Sequence, residues 1–304
     1  MKITVAVAQA TPVVLDLPAT LEKACTLIAE AGAKDARVLA FPETWIPVYP
    51  LWCDTGTLGT WGHEPAKRLH ARYAAASIEI PSKETEMLGR AARKAGCAVV
   101  MGVSERTRSG TLLNAILFFD EQGELVGVHR KLVPTFAERL VWGPGDAAGL
   151  RAYDIAGTRV GALVCWEHWM PLPRQVLHGE GEAIHIAQWP HAKEVHQIAS
   201  RHYAFEGRAF VLAAASYIPK TALPDDLELL DDFAEAPDVL INGGSSIIGP
   251  DAAYLVEPVH GSEALITAEV DLDRIAMEKQ TLDTAGHYSR PDVFQLEVDR
   301  RRRV

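Results

Sequence analysis

Arg159-Val160-Gly161-Ala162-Leu163-Val164-Cys165-Trp166-Glu167-His168 carries an apolar run straight into a cysteine, a tryptophan and two polar residues. A stretch apolar at consecutive positions suits a strand covered on both faces. The residues after Cys165, with Pro171 close behind, mark where that strand turns. Two other apolar runs end on a reactive side chain in the same way: Glu43 follows 37–42, and Lys131 follows 124–130. Strand ends on one edge of a sheet aim side chains into a common crevice. A thiol, a carboxylate and an ammonium gathered there make a nucleophile, a general base and a stabiliser of developing charge.

Outward from these three points, strands and helices alternate to about residue 217 with no linker or repeat between them. Apolar residues recur with helical period over 17–31, 83–94 and 195–208, and strand-like runs occupy 38–41, 98–103, 112–119, 160–164, 183–186 and 210–215. Several strands are apolar on both faces, as expected for a sheet with helices on one side and a second sheet on the other. Asp120-Glu121-Gln122-Gly123 and Pro250-Asp251 each separate two apolar runs and mark hairpins. The acidic, proline-bearing stretch 222–238 is expected to be an exposed excursion. The basic run at 300–303 is expected to be solvated.

With 48% apolar and 23% charged residues, the 304-residue chain has ample material for a large core, and we expect one domain over 1–294 with a short mobile tail at 295–304. Lys and Arg number 30 against 40 Asp and Glu, so a net charge of -10 disfavours a nucleic-acid partner. No stretch is long and apolar enough to span a bilayer, and the first nine residues read as a strand, so a cytoplasmic protein without a membrane partner is expected. Cys25, Cys53, Cys97 and Cys165 show neither a CxxC pair nor zinc-ligand spacing. Cys25 and Cys97 fall in regular elements and read as small core residues. The role of Cys53, in an aromatic loop, stays open.

A thiol becomes a good nucleophile when a neighbouring carboxylate takes its proton and a nearby cation favours the charge, and Glu43 and Lys131 supply both to Cys165. The words around the three residues are specific. Phe41-Pro42-Glu43, His129-Arg130-Lys131-Leu132-Val133-Pro134-Thr135 and Val164-Cys165-Trp166-Glu167-His168, with Phe136 to Gly143, Gly243-Gly244-Ser245 and 286–294, together resemble the nitrilase branch of the carbon-nitrogen hydrolase superfamily. The resemblance implies an α/β fold of the α-β-β-α four-layer sandwich type and a catalytic triad of Glu43, Lys131 and Cys165. It adds Glu138 as a glutamate orienting the lysine and the substrate nitrogen. It implies no metal or organic cofactor and a homodimer or higher homo-oligomer.

Trp166-Glu167 after the cysteine, where amidase branches tend to carry Tyr and Asp, points within this resemblance to an organic nitrile as substrate with water as co-substrate. Attack would give a thioimidate, then a thioester, then the carboxylic acid and ammonia. An aliphatic amidase and a cyanide-hydrolysing relative are the alternatives. An aromatic wall of Tyr49, Trp52, Trp142, Trp166 and Trp189, with His168, is expected to bind the substituent. Gly243-Gly244 suits either a tight turn or a close backbone approach, and His287 and Arg290 are candidates for tying the C-terminal segment to the site or to a second subunit. A metal hydrolase built on His185, His191, His196 and His202 is the reading from another class, but their spacing matches no standard ligand pattern. A non-catalytic assembly protein would not need all three triad residues. The turn Gly143-Pro144-Gly145-Asp146, with Pro in place of the more usual Gln, and the short C-terminus depart from the family pattern.

Overall fold

The computed structural model describes residues 1–303, in which two sheets are stacked face to face and each carries helices on its outer side. Among the described residues thirteen strands alternate with six helices: β1 (Lys2–Gln9), α1 (Leu17–Ala33), β2 (Ala36–Ala40), α2 (Glu64–Ala76), α3 (Lys83–Ala95), β3 (Ala98–Arg106), β4 (Leu112–Phe119) and β5 (Leu125–Arg130) make up the first half. The second half holds β6 (Tyr153–Ile155), β7 (Thr158–Val164), α4 (Pro171–Gly179), β8 (Ile184–Gln188), α5 (Glu194–Gly207), β9 (Phe210–Ala214), β10 (Tyr217–Pro219), β11 (Val239–Ile248), β12 (Tyr254–His260), β13 (Ala264–Asp271) and α6 (Asp273–Lys279). The first sheet runs β13-β1-β2-β3-β4-β5, and the second β10-β11-β9-β8-β7-β6 with β12 added on β11. This is the expected α-β-β-α sandwich.

The layers follow from where the apolar residues fall. Val5, Val7, Val38, Val100, Ile116 and Phe118 of the first sheet meet Val160, Leu163, Ile186 and Leu212 of the second across the interior. On the outer side of the first sheet, Leu21, Ala24 and Ile28 of α1 and Leu88 and Ala92 of α3 cover Leu39, Val99, Met101 and Leu117. Consecutive strand residues therefore point into two different cores, which is why β3 and β4 are apolar throughout. Local signals set the helix ends. Asp16 caps α1 by accepting from Ala19 N at 3.0 Å, and Ser82 and Thr85 form a capping box on α3, which stops at Gly96 with φ 62°.

Two expectations change. The stretch 222–238 is not a simple exposed excursion, because Leu223, Leu227, Leu229 and Phe233 are buried against Trp52, Tyr73 and Trp142 in a third apolar cluster. Its acidic residues cover the outside of a segment that packs through leucines. The C-terminal arginines find partners while staying exposed: Arg302 Nη1 lies 3.2 Å from Asp146, Arg303 N donates to the same carboxylate at 2.9 Å, and Arg300 pairs with Glu180, yet the Arg301 and Arg303 side chains are 81% and 63% exposed. Val304 lies outside the described residues. Finally, α2 and α4 form helices where no period was read, the first Ala-rich and the second only nine residues long. Among the described residues no helix is long and apolar enough to cross a membrane.

Candidate active site

All three strand-end side chains reach one buried point between the sheets. Glu43 is fully buried just after β2, Lys131 is 1% exposed directly after β5, and Cys165 is 4% exposed directly after β7. Each backbone is anchored before the side chain is presented. Phe41 N donates to Val100 O at 2.8 Å and Gln188 Nε2 donates to Phe41 O at 2.9 Å, so the Glu43 loop is held by both sheets. Gly102 on β3 makes room for that loop, since a Cβ there would overlap the Pro42 carbonyl oxygen. Lys131 N donates to Asn114 O at 2.8 Å and its own carbonyl accepts from Gly145 N at 2.8 Å.

Three of the non-glycine residues in the left-handed region belong to the site: Thr44 (φ 40°) follows Glu43, Cys165 (φ 50°) is the thiol itself, and Phe136 (φ 41°) lines the cavity. Such conformations persist only where the surroundings overdetermine them, which is typical of sites that must aim a side chain.

Lys131 Nζ lies 2.8 Å from Glu43 Oε1 and 2.6 Å from Glu138 Oε2. Asn114 Nδ2 donates to Glu43 Oε1 at 2.7 Å, while Tyr49 OH at 3.1 Å and Thr135 N at 2.8 Å donate to Glu138. One carboxylate oxygen each of Glu43 and Glu138 and the Cys165 sulfur all lie within 4.8 Å of one another. Two acids and a thiol at such distances also have the composition of a metal-ligand set, but the Lys131 ammonium already bridges the carboxylates.

The electrostatics follow from burial. Loss of solvent pushes the Glu43 carboxyl up to about 7, against the pull of Lys131. Burial, followed by the Glu43 charge, pushes the Cys165 thiol well above its ordinary value, while Lys131 and the Trp166 amide pull it back. Burial works against the Lys131 charge, but Glu43, Cys165 and Glu138 outweigh it and hold the ammonium more firmly than usual. The resting arrangement is thus a protonated thiol beside a carboxyl poised near neutrality. Glu43 Oε2 is buried without a hydrogen-bond partner among the described residues, leaving a lone pair available for a proton.

Glu167 holds two of the strand ends together. Its carboxylate accepts from Leu132 N and from Val164 N, each at 2.8 Å, and from His129 Nε2 at 3.0 Å. It therefore ties the residue after Lys131 to the residue before Cys165. Burial alone would raise its pKa, but His129 and the two amides bring it below the usual carboxylate value.

A cavity of about 610 Å³ opens over Cys165 and Glu138. Tyr49, Leu51, Phe136, Ala137, Trp166, Pro190, Phe233, Leu240 and Ile241 give it an apolar wall, and Asp54, Asp232 and Glu235 stand among its outer residues. Among the described residues no lysine or arginine lines it. His191 and His196 complete the wall, each held by burial at about 4 and therefore neutral. A second cleft of about 600 Å³ lies between α4 and the C-terminal segment, away from the thiol, and there Arg290 pairs locally with exposed Asp292.

Of the expected aromatic wall, the structure brings Tyr49 and Trp166 to the cavity. Trp52, Trp142 and Trp189 are core side chains, 1%, 3% and 0% exposed, and do not reach it. Nearness in sequence to Glu43 does not set side-chain direction, and Trp52 and Trp142 point instead onto Tyr73. His168 packs under the cysteine, on Trp189, outside the cavity. His185 is likewise buried against Tyr203, so the four histidines weighed as metal ligands do not converge. Gly243 and Gly244 have φ 74° and 96°, and a Cβ on Gly244 would overlap the Ala192 carbonyl oxygen, so both the turn and the close approach occur. Asn114 went unread, although it is the one polar residue inside the apolar run of β4.

Comparison with known proteins adds an independent line. Residues 4–280 match the family described as carbon-nitrogen hydrolase. A protein named nitrilase 2, from an unknown prokaryotic organism, is 43% identical over 99% of this chain and 94% of its own. An aliphatic nitrilase of Sinorhizobium fredii is 40% identical over 98% and 96%. Among solved structures, a carbon-nitrogen hydrolase from Helicobacter pylori G27 superposes with a TM-score of 0.74 at 18% identity, covering 96% of this chain and 97% of that one. The Nit3 protein of Saccharomyces cerevisiae, described as a member of branch 10 of the nitrilase superfamily, superposes at 0.72 with 20% identity over 94% and 96%.

Proposed function

The chain belongs to the carbon-nitrogen hydrolase family, and from that premise we propose that it is a nitrilase converting an organic nitrile to a carboxylic acid and ammonia. The observation that carries this reading is the buried assembly of Cys165, Glu43, Lys131 and Glu138 at the foot of an apolar cavity. Glu43 takes the thiol proton as the Cys165 sulfur attacks the nitrile carbon, so the thiolate need not exist beforehand. The nitrogen gains negative charge and is protonated in the field of Lys131, giving a thioimidate. Glu43 then activates one water, ammonia leaves a thioester, and a second water releases the acid. Glu138 aligns Lys131 and the departing nitrogen. The nitrilase names of the relatives near 40% identity support a nitrile over an amide.

The proton acceptor sets the pH dependence. Only ionised Glu43 can accept a proton, so with its value lifted to about 7 the kcat/KM should fall about tenfold per unit below that pH. Asn114→Ala removes a hydrogen bond that favours the charged carboxylate, and the acidic limb should move to higher pH by roughly half a unit to one unit. A limb lying at an ordinary carboxylate value, and indifferent to position 114, would remove Glu43 as the base.

The cavity restricts the substrate. Its wall suits an apolar neutral substituent, and the carboxylates of Asp54, Asp232 and Glu235 disfavour an anionic one. Ammonia release across matched nitriles should therefore be fastest for neutral chains and slower on the order of tenfold for the same chain ending in a carboxylate, with the gap narrowing as salt is raised. A dinitrile should stop at the cyano acid. Turnover of amides without turnover of nitriles would sink the nitrile reading and leave an amidase.

A further inference from the structure

We propose that His168 and His185, buried beneath the nucleophile, share one extra proton, so that an imidazolium and not two neutral rings supports the Cys165 backbone. Three contacts in series require it. His168 Nδ1 lies 2.7 Å from the Cys165 carbonyl oxygen, His168 Nε2 lies 3.0 Å from His185 Nε2, and His185 Nδ1 lies 3.0 Å from Glu182 Oε2. A carbonyl only accepts, so His168 Nδ1 must carry hydrogen. A carboxylate only accepts, so His185 Nδ1 must carry one as well. The contact between the two Nε2 atoms needs a third hydrogen. Two neutral imidazoles hold only two between them, so one of the three contacts would otherwise set lone pair against lone pair.

Glu182 cannot supply the missing hydrogen. Burial pushes its carboxyl up, but His185 and His178 outweigh burial and bring it to about 2, and Tyr203 OH donates to its other oxygen. Burial pulls both imidazoles toward neutrality. What opposes burial is the negative charge of Glu182 and the absence of a proton arrangement that satisfies the neutral pair. The surrounding charges are these: Arg174 pairs with Glu206 at 2.6 Å and donates to His168 O at 2.9 Å, and His178, whose imidazole is held above its ordinary value against burial by Glu182 and Glu206, sits between those two carboxylates. Glu167 is already paired with His129. Glu182 thus faces His178 as well as His185, and the three contacts in series are what require the shared proton.

His168 touches no reacting atom and is a positioning residue. It holds the carbonyl of a cysteine whose φ of 50° is strained, and it places a positive charge against the backbone of the nucleophile. The decisive measurement is a count of slowly exchanging imidazole N–H protons by 15N-histidine NMR on the full chain at pH about 8, well above the value of free imidazole. The two rings are identified by the stacking of His185 on Tyr203 at 3.6 Å. Three N–H protons on the pair are expected, and two would overturn the proposal.

The kinetic arm alone rests on Cys165 being the nucleophile. Glu182→Gln removes the charge that retains the proton, so alkylation of Cys165 by iodoacetamide should slow by on the order of tenfold and the alkaline limb of activity should move down by about a unit. Tyr203→Phe, which leaves the carboxylate in place, should do less. A folded Glu182→Gln variant with the wild-type alkylation rate and profile would overturn the proposal, and the N–H count decides the matter even if that variant does not fold. Loss of all nitrile turnover in the wild type, by contrast, would strike the assigned reaction and leave the count unaffected.

Discussion

Cys165→Ala is expected to abolish ammonia release from every nitrile in the panel while leaving the fold intact. Removing the nucleophile from a set of groups that act as a unit costs about as much as removing the set, so activity should drop by at least about four orders of magnitude. Stability should change little, because only one small buried group is lost and alanine tolerates φ 50° no worse than cysteine does. A melting temperature within a few degrees of wild type would show that the loss is chemical. The same substitution should remove the covalent adduct that mass spectrometry of an acid-quenched reaction detects on the wild-type enzyme. Retention of the adduct in the variant would move the nucleophile elsewhere, with Cys53, in the loop that also carries Tyr49, the first alternative thiol to test. Cys53 is a poor one, since burial raises its pKa far above the ordinary thiol range and no base is hydrogen-bonded to it.

The reason Cys165 could be singled out in sequence, and the wall of its cavity could not, is physical. A strand buried on both faces must be apolar almost throughout, so a reactive residue just beyond it stands out, as Glu43 does after β2, whereas β5 is a partly buried edge strand and Lys131 stands out by the residues around it. The register of the parallel strands, with Val164 beside Gln188 and Ala40 beside Val100, then brings those ends to one edge. Side-chain direction in the connecting loops obeys no such period. Tyr49 and Trp52 are three residues apart in one loop, yet one hydrogen-bonds Glu138 over the cavity and the other is core. The stretch 222–238 misled for a related reason. Its buried residues Leu223, Leu227, Leu229 and Phe233 have neither a helical nor a strand spacing, so only its acidity was visible. Asn114 carries a signal of another kind, a polar group in a segment that otherwise reads as core, and Glu167 reads only as part of the turn after the cysteine, yet each proves to hold a strand end or a reactive carboxylate in place.

Lys131→Met should have the second large effect, and it should appear in stability as well as activity. Among the described residues the ammonium is the only cation between Glu43 and Glu138, at 2.8 and 2.6 Å, and all three groups are buried. Without it two carboxylates face each other with no counter-charge, a defect that costs roughly 3–5 kcal/mol. The cost depends on pH, because the pair can relieve it by binding a proton. Glu43 is already lifted to about 7 in the presence of the lysine, and losing that attraction lifts it further. A carboxyl whose folded value exceeds its unfolded value favours the fold when protonated, and that contribution is present below the unfolded value and lost as pH rises through the folded one. The urea midpoint of the variant should therefore sit closest to wild type at about pH 5 and furthest from it at about pH 8. Activity should be lost at both values, since the nitrogen has no cation to stabilise its developing charge. Lys131→Arg separates the two roles. It restores the charge and part of the stability, but a planar guanidinium cannot place a single nitrogen between both carboxylates, so turnover should stay low. A Lys131→Met chain as stable as wild type at the higher pH would mean that the lysine does not hold the two acids together, and with that the charge arrangement on which Glu43 acts as base would fall.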